Sequence, residues 1–164
     1  MDDRAERDAV LRDERARAAR AAELRAVTEL MTPPAELVST DLFDVGPLHE
    51  VLPAAFDELA VEFGALVEER AAGTDDAPAR NTTPRLRALS VQLGLLNAGP
   101  RDVVALYDRY MSALGDDGTE PDLEARFTAA RITLLHLMGL IATYYRRAAL
   151  IDRRRAPDMV SDRM

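Results

Sequence analysis

The chain has 164 residues, 48% of them apolar and 30% charged, with a formal net charge of −8. That length suits one domain with appendages. Cysteine is absent, which excludes disulfides, thiolate metal sites and a cysteine nucleophile, and the negative charge argues against nucleic acid as the main ligand, because phosphate binding needs a basic footprint.

All 21 basic residues are arginine. Their distribution is uneven. Residues 1–31 carry 7 arginines against 8 acids, residues 32–83 carry 2 against 11, and residues 84–164 carry 12 against 10. The acidic middle is either a solvated helix face or a surface that steers a basic partner.

In chain order, residues 1–31 alternate acids, arginines and alanines, and their helix propensity is high. Pairs such as Asp13 and Arg17 suit i,i+4 bonding. Apolar weight gathers only at Leu24, Val27, Leu30 and Met31, so a solvated N-terminal helical arm is expected and not a coiled coil. No apolar run of signal-peptide type opens the chain. Pro33 and Pro34 end the arm. Residues 32–53 hold four prolines with Leu37, Val38, Leu42, Phe43 and Val45 between them, which predicts a linker lying on the domain surface.

Residues 54–72 form the first helix of the body, with Phe56, Leu59, Ala60, Phe63, Leu66 and Val67 at helical spacing. Glu58, Glu62 and Glu69 fill a face expected to be solvated. Gly73-Thr74-Asp75-Asp76 breaks the pattern. Thr83-Pro84 is expected to restart it, with threonine as N-cap and proline in the first turn. Leu86, Leu89, Leu93 and Leu96 give the stripe of this second helix, and Asn97-Ala98-Gly99 stops it. Pro100 opens the third helix, with Asp102 in its first turn, where a carboxylate complements the helix dipole. Val103, Tyr107, Tyr110 and Leu114 are its expected inward residues. After a turn at Gly115-Asp116-Asp117-Gly118, Thr119-Glu120-Pro121-Asp122 caps the last helix. That helix is expected to run to about residue 152, roughly 45 Å. Leu123, Phe127, Leu134, Leu137, Ile141, Tyr145 and Ala148 form its core stripe. Arg146, Arg147 and Arg153 to Arg155 crowd its end, either as a binding patch or as cations suited to a helix C-terminus.

No segment alternates with period two, so no sheet is expected. The pattern predicts an all-α antiparallel four-helix bundle over residues 54–152 in up-and-down order, with the N-terminal helical arm and a tail at 153–164 as appendages. Catalytic constellations are missing. Only His49 and His136 are present, no Glu-x-x-His spacing occurs, and there is neither a glycine-rich phosphate loop nor a Gly-x-Ser-x-Gly elbow. No enzyme, metal or cofactor is expected. His136 is read either as a ligand or as a partly buried, hydrogen-bonded side chain.

The last helix is the informative one. From Ile132 to Ala142 it is apolar except at Thr133 and His136, whereas a helix with one buried stripe is polar on its far side. Ile132, Leu135, His136, Gly139 and Ala142 fall away from the core stripe, and Gly139 and Ala142 are small enough to let another backbone approach. Val104, Leu106 and Met111 widen the apolar arc of the third helix in the same way. This second face is either covered by the N-terminal helix or forms a symmetric dimer seam. The seam is expected to use Val104, Met111, Ile132, Leu135, His136, Gly139 and Ala142. The Ile132–Ala142 run is shorter than the roughly 20 residues that span a bilayer, so a soluble cytoplasmic protein without membrane contact is expected.

The run Pro100-Arg101-Asp102-Val103-Val104-Ala105-Leu106-Tyr107, followed by Met111 and Leu114, resembles the third helix of the N-terminal domain of RsbU-type stress-response phosphatases. Met138, Gly139 and Tyr144 resemble that domain's last helix, and Leu93 to Gly99 its leucine-rich turn before the proline. The resemblance covers residues 54–150. It implies a dimeric, non-catalytic four-helix bundle that docks an RsbT-like switch kinase in a partner-switching pathway. The chain departs from the family in its N-terminal arm, in ending without the phosphatase domain, and in Tyr107 where family members often have histidine. Output is then expected through a separate protein or through sequestering the kinase. A competing reading is a small-molecule sensor, with Gly94, Met138 and Gly139 facing a cavity.

Overall fold

The computed structural model describes residues 3–31, 46–73, 79–114 and 120–155. The protein is all-helical, with no strand among the described residues. Its contacts divide it into two units, residues 1–42 and 43–164. The first holds α1 (Asp3–Met31). Within α1 the Thr28 hydroxyl donates to the Leu24 carbonyl at 3.0 Å and the Arg25 Nε to the Ala21 carbonyl at 3.2 Å.

The second unit holds α2 (Leu48–Val51), α3 (Pro53–Ala72), α4 (Ala79–Leu95), α5 (Pro100–Leu114) and α6 (Glu120–Arg155). Residues 32–45, with Pro33, Pro34 and the apolar residues Leu37 to Val45, lie outside the described residues. So do the breaks at 74–78 and 115–119, with the expected Thr119 cap, and the tail from 156.

Three boundaries differ from the expected ones. The end of the expected linker folds into the single turn α2, where Leu48 is buried and the His49 and Phe56 rings lie 5.7 Å apart. α4 begins a turn early, so Pro84 lies inside it and not at its first position. Proline's fixed φ is helical, and with only one turn ahead of it the bond it removes is close to the helix start. α6 extends to Arg155, about 54 Å long.

The α4–α5 connection is two caps back to back. Asn97 adopts φ 55°. The Ala98 N–H then reaches the Leu93 carbonyl at 2.9 Å and the Asn97 N–H the Gly94 carbonyl at 3.2 Å, the paired bonds of a Schellman motif. Two residues on, Asp102 Oδ2 accepts from the Gly99 N–H at 2.7 Å, the return bond of a capping box.

α3 packs on α4, α5 and α6, and α6 packs on α3, α4 and α5. An up-and-down order predicts α4 beside α5, yet these two make at most a weak contact and flank the α3–α6 pair. Three bonds explain the placement. Asp102 Oδ1 accepts from the Leu48 N–H at 2.7 Å, and the Tyr110 hydroxyl donates to Glu68 at 2.8 Å, so α5 runs along α3 in the same direction. The Tyr145 hydroxyl donates to the Ala98 carbonyl at 2.8 Å, which seats the second half of α6 under the α4–α5 turn. The core lies along the α3–α6 pair, where Phe63, Val67, Leu93, Leu106, Tyr107 and Leu137 lose essentially all solvent contact.

Candidate interaction face on the last helix

α6 presents two unlike faces. Ala130, Thr133, Leu137 and Ile141 are buried against the other helices. On the opposite side, Leu135 is 69% exposed and Ile132 38%, and His136, Gly139 and Ala142 are exposed beside them. Spacings of three, seven and ten residues from Ile132 bring Leu135, Gly139 and Ala142 onto one side of the helix. A Cβ added at Gly139 would meet no atom within 4 Å, so the interior places no demand on that glycine.

Five of the seven expected seam residues therefore share one outer face. The other two do not join it in that form. Met111 is buried and belongs to the core, and Val104 is half-buried. The wide apolar arc of α5 has an internal cause: it is wedged against both α3 and α6, and Leu106 and Met111 fill the interior. Tyr110 and Leu114, expected inward, lie half-buried at its edge.

Polar residues brace the other sides of this scaffold. Arg85 of α4 grips Glu62 at 2.9 Å and Glu69 at 2.6 Å, so two glutamates expected on a solvated face instead clamp α3 to α4. The hydrogen bond to Glu62 raises the guanidinium pKa above its ordinary value. Glu68 accepts from Tyr110 and faces Arg126 Nε at 3.1 Å. Burial pushes the Tyr110 phenol up, and the bond to Glu68 pushes it further. His136 Nδ1 lies 3.4 Å from Arg70 Nη2. A guanidinium only donates, so the ring nitrogen is the acceptor in this contact. The Arg70 Nε and the Thr133 hydroxyl are buried and have no hydrogen-bond partner among the described residues.

The glycines expected to leave a cavity do not. The Tyr144 ring covers Gly94 so closely that a Cβ there would lie 2.6 Å from its Cζ, while Gly139 faces outward. What does open is a surface groove of about 770 Å³ between α4 and α6, floored by Val91, Leu140, Tyr144, Ala148 and Ile151. Sequence reasoning missed it. The available signal was Val91, an exposed apolar residue lying off the Leu86–Leu89–Leu93 stripe.

Among the described residues no three histidine or carboxylate groups converge as a metal site. The apolar run of α6 is short, but the helix around it, Asp122–Ile151, is long and apolar enough to cross a membrane. A core helix of a helical domain has the same composition, so the feature decides nothing alone. Comparison of the chain with protein families, with curated proteins and with solved structures finds no match.

Proposed function

We propose that this protein is a non-catalytic docking module, built as a four-helix bundle over α3 to α6 and working as a homodimer in the cytoplasm. The observation that carries the reading is the outer face of α6. Ile132, Leu135, Gly139 and Ala142 form an uncharged stripe on a helix whose inner face is already filled. A contiguous apolar surface of this kind is costly to leave in water and marks an interaction site. Symmetric self-pairing is the commonest way to cover one, and the small residues let two helices approach closely.

The partner proposed is an RsbT-like serine kinase of a partner-switching stress-response pathway. Support comes from the Pro100–Leu114 pattern and the Met138-Gly139…Tyr144 pattern, which resemble the kinase-docking domain of RsbU-type phosphatases. The test is calorimetric titration of a purified RsbT-like kinase into the full chain. Saturable binding that is lost in Leu135→Glu supports the reading, and absence of binding removes the kinase from it. The competing sensor reading has no support from its glycines, since Gly94 is covered by the Tyr144 ring and Gly139 faces outward.

A further inference from the structure

The groove between α4 and α6 stands out by charge. α4 carries three arginines and no acid, and α6 from Ala125 to Ile151 carries four arginines and no acid, in a chain with a net charge of −8. Arg85 and Arg126 are held by glutamates of α3. Arg87 and Arg147 line the groove instead, and among the described residues neither guanidinium has an ion-pair or hydrogen-bond partner. The same groove is lined by the apolar side chains of Val91, Leu140, Tyr144, Ala148 and Ile151, with Ser90 and Thr143 among them. The helix dipole does not account for Arg147, which precedes the end of α6 at Arg155 by two turns, whereas that field fades within the last turn.

We infer that this groove docks an acidic amphipathic helix of a partner protein, laying apolar side chains on the floor and carboxylates against Arg87 and Arg147. The inference rests on the docking-module reading and adds a second surface to it. Charge separates the two faces. Symmetric self-pairing of the groove would set Arg87 and Arg147 against their own copies, which is repulsive, whereas the Ile132–Ala142 stripe is uncharged and pairs with itself freely. A long apolar groove read by anchors at helical spacing is an established way of holding a single helix, and carboxylates on that helix would give the unpaired guanidiniums their charge-assisted partners.

The test uses the full chain and two fluorescein-labelled helical peptides. Both carry leucines at i, i+4 and i+7, and their flanks carry glutamate in one and lysine in the other. Fluorescence anisotropy is read for wild type, Arg87→Ala/Arg147→Ala and Arg87→Glu/Arg147→Glu, each with an unchanged helical melt and its mass measured by light scattering. The expected result is binding of the glutamate peptide, weakened roughly tenfold or more by charge reversal, with the lysine peptide preferred by the reversed variant. Equal binding of both peptides by wild type, no binding, or an unaffected double variant would overturn the proposal. Binding of oleate without binding of the glutamate peptide would overturn it in favour of a small amphiphile. If the groove fails while wild type is dimeric, the docking face on α6 survives. If wild type is monomeric while the peptide binds, the α6 seam falls and the groove stands.

Discussion

Asp102 holds Leu48 from across the fold: its Oδ1 accepts the Leu48 N–H at 2.7 Å, while Oδ2 accepts the Gly99 N–H at the same distance. One buried carboxylate thus caps α5 and fastens the turn that leads into α3. Asp102→Ala leaves both N–H groups unanswered. We expect a loss of about 2–4 kcal/mol in urea unfolding. Asp102→Asn keeps one accepting oxygen and should lose about half as much. A loss below that of an ordinary surface substitution would show that the two bonds do not brace the fold.

Tyr144 closes over Gly94, and its neighbour Tyr145 bonds the turn that follows α4. Gly94→Ala must push the ring toward the α4–α6 groove. The expected cost is about 1–3 kcal/mol. In a double-mutant cycle with Tyr144→Ala the two losses should fall short of additive, because removing the ring makes room for the methyl group. Full additivity would mean that the two residues do not meet.

Thr133 is 0% exposed and its hydroxyl has no partner among the described residues. Burying a lone hydroxyl costs stability, and valine has nearly the same shape. Thr133→Val is therefore expected to raise stability by about 1 kcal/mol, measured by urea unfolding. A destabilised variant would reveal a partner for that oxygen.

Tyrosine titration is unusually legible here. The chain has no lysine and no cysteine, and its four tyrosines are Tyr107, Tyr110, Tyr144 and Tyr145. Burial first, then Glu68, raises the Tyr110 pKa above 10.0, and burial raises that of Tyr145. The unfolded chain therefore releases these protons at lower pH than the folded one. Their contribution to stability is complete below pH 10.0 and is lost as pH climbs through the folded values. Stability measured against pH should fall above that point, less steeply in Tyr110→Phe and least steeply in Tyr110→Phe/Tyr145→Phe. An identical slope in all three would contradict the assignment.

Helical periodicity located most of the core in the sequence, since Phe56, Leu59, Phe63, Leu66 and Val67, expected inward, are all buried. The outer face of α6 was legible for the same reason, because an apolar residue such as Leu135 breaks the expected polar side. Met111 was misplaced because a sequence shows how wide an apolar arc is, and not how many neighbours it serves. Helix order was also hidden. Asp102 was visible as a first-turn acid, but its bond to Leu48, 54 residues away, is what sets α5 along α3. The glutamates gripping Arg85 looked like a solvated row because their partner lies on another helix. The α4–α6 groove depends on which two helices meet, and local spacing carries no trace of that.

The proposed dimer joins its two copies along the outer face of α6. Light scattering on the full chain and on Leu135→Glu tests it most directly. Wild type is expected at twice the mass of one chain, and the variant at one chain mass with an intact helical spectrum. A monomeric wild type, or a variant that remains a dimer, would contradict it.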